Sequence, residues 1–189
     1  MKKPRILAFG GSLRAESFNQ KLAAIAAEGA RAAGAEVTLI ALRDFRMPLF
    51  DEDLEAEEGM PEAARKLKAL FAEHDGLIIA SPEYNSTITA ALKNAIDWVS
   101  RATTPGEPPL SVLSGKTAAI LAASPGGYGG SRGLAQLRPF LVNIGITILP
   151  EQVTIPKAHE AFDTAGNLTD PAQAAAVKGL GAGLAAKLA

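Results

Sequence analysis

The 189-residue chain balances 19 basic against 20 acidic residues, is 48% hydrophobic and contains no cysteine. A net charge of −1 gives no general attraction to nucleic acid or an anionic membrane, and a shuttle that docks by long-range charge would be more lopsided. The missing cysteine excludes disulfides, a thiolate nucleophile and a Cys-based metal or iron–sulfur centre.

The length suits one domain over residues 1–189. Met1-Lys2-Lys3-Pro4-Arg5 leads into an apolar run too short for a signal peptide, and no run approaches the roughly 20 apolar residues that cross a bilayer. The expectation is a cytoplasmic protein with neither membrane nor nucleic acid as partner. In chain order, Arg5–Gly10 reads as a buried strand, and residues 18–33 as an Ala-rich helix stopped by Gly34. Glu36–Ala41 is a second strand. Residues 43–59, with Pro48 and an acidic run at 51–58, read as a long loop. Pro61 opens a helix to residue 73. Gly76–Ala80 is a third strand, 88–100 a helix, and 103–109 a Pro-rich irregular stretch. Thr117–Ala123 is a fourth strand, although its alanines equally suit a helix. Residues 130–144 are helical, 146–149 form a short fifth strand, and 171–189 a terminal helix.

Apolar strands alternating with helices imply a parallel sheet buried on both faces, and right-handed crossovers leave few topologies. The expected fold is an α/β, flavodoxin-like three-layer sandwich with a five-stranded parallel sheet of order 2-1-3-4-5.

Ligands of such sheets bind beyond the carboxyl ends of the strands. Three loops of unusual composition leave those ends: 10–19, 81–87 and 124–133. The first opens a helix, where free N–H groups and the helix dipole favour an anion. Ser12, Ser17 and Asn19 add neutral donors, and Arg14 a planar cation. An ordinary helix cap needs one such residue and not four. A dinucleotide fingerprint would need glycines where Ser12 and Ala15 stand. Donor side chains in place of a glycine path favour a terminal phosphate monoester, hence FMN over FAD or NAD as the tightly held ligand. In the second loop Pro82 stiffens the exit from the strand, Tyr84 presents an aromatic face and Asn85 offers donors and acceptors. A plain turn in which Tyr84 packs and Asn85 caps a helix fits equally well. The third loop carries five glycines, Gly126, Gly127, Gly129, Gly130 and Gly133, which let backbone approach a ligand; a flexible connection is the plainer reading.

Rival chemistries fare worse. Ala122-Ala123-Ser124-Pro125-Gly126 is a G-x-S-x-G elbow without its first glycine. A serine hydrolase using Ser124 would need His74, at the amino end of the sheet, or His159; both read as surface residues. Gly115-Lys116-Thr117 precedes a strand, whereas a P-loop follows one. The acidic run 51–58 lacks the spacing of a Ca²⁺ loop, and no metal site is expected.

The pieces GSLRAESFN at 11–19, PEYN at 82–85, LKNAIDW at 92–98 and SPGGYGG at 124–130 together resemble the NAD(P)H-dependent FMN reductase family, which includes flavodoxin-like quinone, chromate and azo reductases. The resemblance spans roughly residues 5–150. It implies that Ser12, Arg14, Ser17 and Asn19 hold the FMN phosphate. It implies that Pro82, Glu83, Tyr84 and Asn85 line the flavin ring, and that Ser124, Gly126 and Gly127 close its pyrimidine side. It further implies an enzyme that passes electrons from NADPH or NADH through flavin N5 to quinones, free flavin or similar small acceptors by a ping-pong mechanism, with no catalytic acid–base side chain, and that works as a homodimer or homotetramer. A non-enzymatic flavodoxin-like carrier or redox-sensing module is the alternative. One departure stands out: the family often has Gly-Ser-Ile-Pro-Gly after PEYN, where this chain has Ser86-Thr87-Ile88-Thr89-Ala90.

Overall fold

The computed structural model describes residues 3–189. Strands β1 (Arg5–Gly10), β2 (Glu36–Ala41), β3 (Gly76–Ala80), β4 (Thr117–Ala123) and β5 (Thr147–Ile155) form one parallel sheet in the order β2-β1-β3-β4-β5, as the alternating pattern predicts. The alanines of β4 belong to a strand because both its faces are covered, and small residues let helices lie close.

Strand periodicity sorts the core into two layers. Ile6, Ala8, Ile78, Ala80, Ala119 and Leu121 face helices α1 (Phe18–Ala32) and α7 (Pro171–Leu188). Leu7, Phe9, Leu77, Ile79, Ala118 and Ile120 face the opposite layer, made by α3 (Glu62–Glu73), α4 (Ala90–Ser100) and α5 (Ser131–Asn143).

Four expectations need correction. The stretch 43–59 is not a long loop. It contains a 3₁₀ turn at Leu42–Asp44 and helix α2 (Glu52–Glu58). Asp51 caps α2 by accepting from the N–H of Asp53 at 2.9 Å, and Glu52, Asp53 and Glu55 stand at the favourable end of its dipole. The Arg101 guanidinium grips Glu55 at 2.7 Å. A helix with no apolar stripe is invisible to periodicity. Strand β5 does not stop at residue 149 but runs to Ile155. Pro150 falls in a register shift opposite Ala118/Ile120, on an edge strand, where a missing N–H is tolerated. A further short helix, α6 (Ala158–Ala161), follows it. Helix α4 starts at Ala90 rather than at residue 88, because Asn85 and Ser86 adopt positive φ (51° and 67°) and Thr89 caps it. His74 is buried rather than on the surface: Nδ1 bonds the Leu70 carbonyl at 2.6 Å and Nε2 the Thr38 hydroxyl at 2.7 Å. The irregular stretch 103–109 is held by Glu107, which pairs with buried Lys68 and accepts from the Thr103 N–H at 2.7 Å.

Helices α1 and α7 meet through glycine. A Cβ at Gly181 would lie 1.9 Å from the Ala26 carbonyl oxygen, and one at Gly29 would lie 2.0 Å from that of Lys178. Backbone on both sides leaves no room to relax. Gly181→Ala is therefore expected to cost about 3 kcal/mol of stability by overpacking. A urea midpoint unchanged from the parent would contradict this packing account.

Candidate functional site

The three loops singled out in the sequence leave β1, β3 and β4 at their carboxyl ends, and polar bonds join them in pairs. Asn19, in the first turn of α1, donates from Nδ2 to the Ala123 carbonyl at 2.8 Å and accepts the Ala123 N–H at 2.9 Å, tying the first loop to the end of β4. The Thr89 hydroxyl donates to the Gly11 carbonyl at 2.6 Å, tying the first loop to the cap of α4, just beyond the second loop. Glu83 accepts the Gly133 N–H at 3.0 Å and pairs with Arg132 at 2.7 Å, tying the second to the third. Ser12, Arg14, Ser17, Pro82, Tyr84, Asn85, Ser124, Gly126 and Gly127 are carried on this joined rim.

In the first loop Ser17 caps α1, its oxygen accepting the Gln20 N–H at 3.3 Å. Ser12 oxygen accepts the Arg14 N–H at 3.2 Å. Both hydroxyl protons stay available, because each bond uses only the acceptor side. The N–H groups of Ser12, Ser17, Phe18 and Asn19 find no acceptor among the described residues. Arg14 is exposed and makes no ion pair among them. The loop therefore presents unspent donors and one free cation beside a helix N-terminus, the arrangement that attracts an anion. Asn19 departs from the expectation: its side chain is committed to Ala123, which leaves its backbone N–H as the free donor. Gly10 is required here, since a Cβ would lie 2.7 Å from the Gln20 nitrogen. Gln20 bridges the Gly10 N–H at 3.0 Å to the Ile40 carbonyl at 2.9 Å.

In the second loop Tyr84 and Thr87 exchange backbone bonds of 3.0 and 3.1 Å around Asn85 and Ser86, a tight turn of the I′ kind. It lifts Tyr84 into solvent, 49% exposed, while Pro82 is buried. The carboxylate of Glu83 does not face the mouth of the site. It reaches the start of α5, and its side chain is only 7% exposed. In the third loop Gly129 and Gly130 take positive φ, whereas a Cβ would meet nothing at Gly127 and only the Ser124 oxygen, at 3.7 Å, at Gly126. Ser124 oxygen accepts the Gly126 N–H at 3.3 Å, and Tyr128, 69% exposed, lies under the Arg132 guanidinium at 4.9 Å.

Two clefts adjoin the first loop. Ser12, Arg14, Ala15, Gln20, Arg43 and Asp44 line a polar one of about 270 Å³. Leu13, Phe45, Met47, Ala91 and Ala95, with Arg43 and Arg46, line an apolar one of about 440 Å³. Sequence reasoning missed Thr89, Gln20, Arg43 and Arg132. Thr89 was findable, as a Thr directly before an Ala-Ala-Leu helical run. The others depend on contacts across the fold. A hydrolase gains no nucleophile–base pair from the geometry: both ring nitrogens of His74 are occupied, and no hydrogen bond joins His159 to Ser124 among the described residues.

A sequence model of the NADPH-dependent FMN reductase family matches residues 4–160. An NAD(P)H-dependent FMN reductase of Pseudomonas aeruginosa is 38% identical over 167 residues, covering 88% of this chain and 85% of the relative. A quinone reductase of Escherichia coli is 36% identical over 148 residues, covering 78% and 74%. Among solved structures, the flavoenzyme NAD(P)H:(acceptor) oxidoreductase FerB of Paracoccus denitrificans superposes with a TM-score of 0.76 at 28% identity, covering 98% of this chain and 96% of the other.

Glu83 is the joint most open to test. Arg132 is 56% exposed, so solvent screens the ion pair and most of the stabilisation lies in the bond to the Gly133 N–H. Glu83→Ala should lose about 2 kcal/mol in urea unfolding, and Glu83→Gln, which keeps an acceptor, clearly less. Equal losses in the two variants would show that the bond to Gly133 is not what Glu83 contributes.

Proposed function

The chain belongs to the NADPH-dependent FMN reductase family, whose members are oxidoreductases, and from that premise we propose that it holds the FMN phosphate on the loop 10–19. The observation that carries this reading is the set of unspent donors at the start of α1: four N–H groups, two hydroxyls and the unpaired Arg14. A phosphate monoester has acceptor oxygens for such a set, and neutral donors around one cation match its charge without a bridging pyrophosphate. In this proposal Ser12, Arg14 and Ser17 bind through side chains and Asn19 through its backbone. Pro82, Glu83, Tyr84 and Asn85 flank the ring, with Pro82 and Tyr84 as wall and Glu83 through its backbone. Ser124, Gly126 and Gly127 close the opposite side, where the absence of side chains leaves room for a flat ring.

When bound, FMN would supply the two-electron chemistry by which NADPH or NADH reduces a quinone, free flavin or similar small acceptor in a ping-pong sequence. The residues bind, orient and limit access, and none is assigned a proton transfer. The open cleft beside Leu13 and Phe45 is of the size that small ligands occupy, which supports a small-molecule acceptor. Self-association as a homodimer or homotetramer belongs to the same proposal, supported by Leu13 and Leu49 standing 58% and 75% exposed.

The purified protein should take up FMN, show a flavin spectrum and oxidise NAD(P)H directly when a quinone is supplied, with parallel double-reciprocal plots. A protein that cannot be loaded with FMN would refute the proposal, and intersecting plots would refute the ping-pong sequence. Arg14→Ala should weaken FMN about 10- to 100-fold, because one charge-assisted contact is lost, and leave riboflavin, which lacks the phosphate, nearly unaffected. Loss of both ligands alike would remove Arg14 from the phosphate. Tyr84→Ala should alter the bound-flavin spectrum more than the affinity; an unchanged spectrum with unchanged turnover would take Tyr84 off the ring.

A further inference from the structure

We propose that Thr89 is a positioning residue that aims the Ser12 N–H at the flavin phosphate by anchoring the peptide on the other side of the Gly11–Ser12 bond. The proposal rests on the reading that the loop 10–19 holds that phosphate. Thr89 is 1% exposed and precedes α4, remote in sequence from the loop it touches. Its hydroxyl works in both directions. It donates to the Gly11 carbonyl at 2.6 Å and accepts the Leu92 N–H at 3.0 Å.

The geometric consequence follows from peptide planarity. Within a trans peptide the C=O and N–H point to opposite sides, and no cis bond is present among the described residues. Once the Gly11 carbonyl is drawn to Thr89, the Ser12 N–H must point away from α4. That N–H has no acceptor among the described residues. The same glycine is fixed at its other end, its N–H donating to the Ala80 carbonyl at 2.8 Å. Gly11 also lacks the Cβ that would stand 3.2 Å from Leu92 and 3.5 Å from Pro82. The peptide is thus held by β3 on one side and by the cap of α4 on the other. Its remaining donor is aimed before any ligand arrives, so the ligand does not bear the ordering cost. The hydroxyl thus ties the first loop to the start of α4, just beyond the turn that follows Tyr84.

The test compares FMN with riboflavin in titrations of the flavin-depleted full-length protein. The parent should bind FMN more tightly. Thr89→Val removes the hydroxyl at near-constant shape. Thr89→Ala removes it together with the methyl group and without a change of backbone freedom of the kind proline imposes, so the fold is tested by two routes. In both variants the FMN-to-riboflavin affinity ratio should fall about tenfold, the scale of one misaimed hydrogen bond, and Thr89→Ser should restore the parent ratio. Equal weakening of both flavins would show a merely structural cap at Thr89 and overturn the proposal, as would a serine variant no better than valine. A parent that does not distinguish FMN from riboflavin would instead overturn the phosphate assignment, and this proposal with it.

Discussion

The side chain of Asn19 makes two bonds to one backbone unit, Ala123, and the site depends on that pair. A parallel sheet places the exits of β1, β3 and β4 along one edge, but it does not dictate how far apart the loops stand. Asn19 is 4% exposed, and its amide satisfies the Ala123 N–H and C=O together. In a buried setting, losing either partner would strand a polar group at a cost of about 1–3 kcal/mol. The start of α1 is thereby pinned to the end of β4. Thr89, just beyond the second loop, and Glu83 then complete a closed set of three joints among three loops. No single loop has to be stiff, because each is braced by the other two.

The division of labour within the rim follows from what each polar group has already spent. Glu83, Asn19 and Thr89 use their side chains inside the protein, so they shape the site rather than reach out of it. Ser12, Arg14 and the first N–H groups of α1 keep donors unspent. Tyr84 offers an exposed ring, and Gly127 backbone with open space beside it. A donor-rich end and an end with exposed Tyr84 and open glycine backbone therefore lie along one edge, and the proposal lays the phosphate of FMN on the first and its ring on the second. The membership of the chain in an FMN reductase family agrees with that reading.

Much of the fold was legible because both layers of the core write a simple pattern into the strands: Ile6 and Ala8 to one side, Leu7 and Phe9 to the other. Helix α2 was illegible because it fully buries no residue and offers one apolar contact, Leu54 beside the Trp98 cluster; the rest of its support is its cap at Asp51, its dipole and Arg101. The end of β5 was hidden by Pro150, which a bulge absorbs. At the site, the choice of loops could be read from composition and position together, since glycine, proline and small donors follow three of the strands directly, whereas the similar stretch at 103–115 leads into one. Which donors are free could not. Asn19 and Glu83 look like ligand contacts in sequence, and only the positions of Ala123 and Gly133 reveal that their side chains are engaged. The same holds for Thr89, whose partner Gly11 is 78 residues away.

A crystal structure of the chain with FMN bound tests the central claim most directly. The account places the phosphate within hydrogen-bond distance of Ser12, Ser17 and the free N–H groups at the start of α1, with the ring between the loops at residues 82–85 and 124–127. A phosphate seated instead against Arg43 and Arg46 in the neighbouring cleft, with those N–H groups facing water, would contradict it.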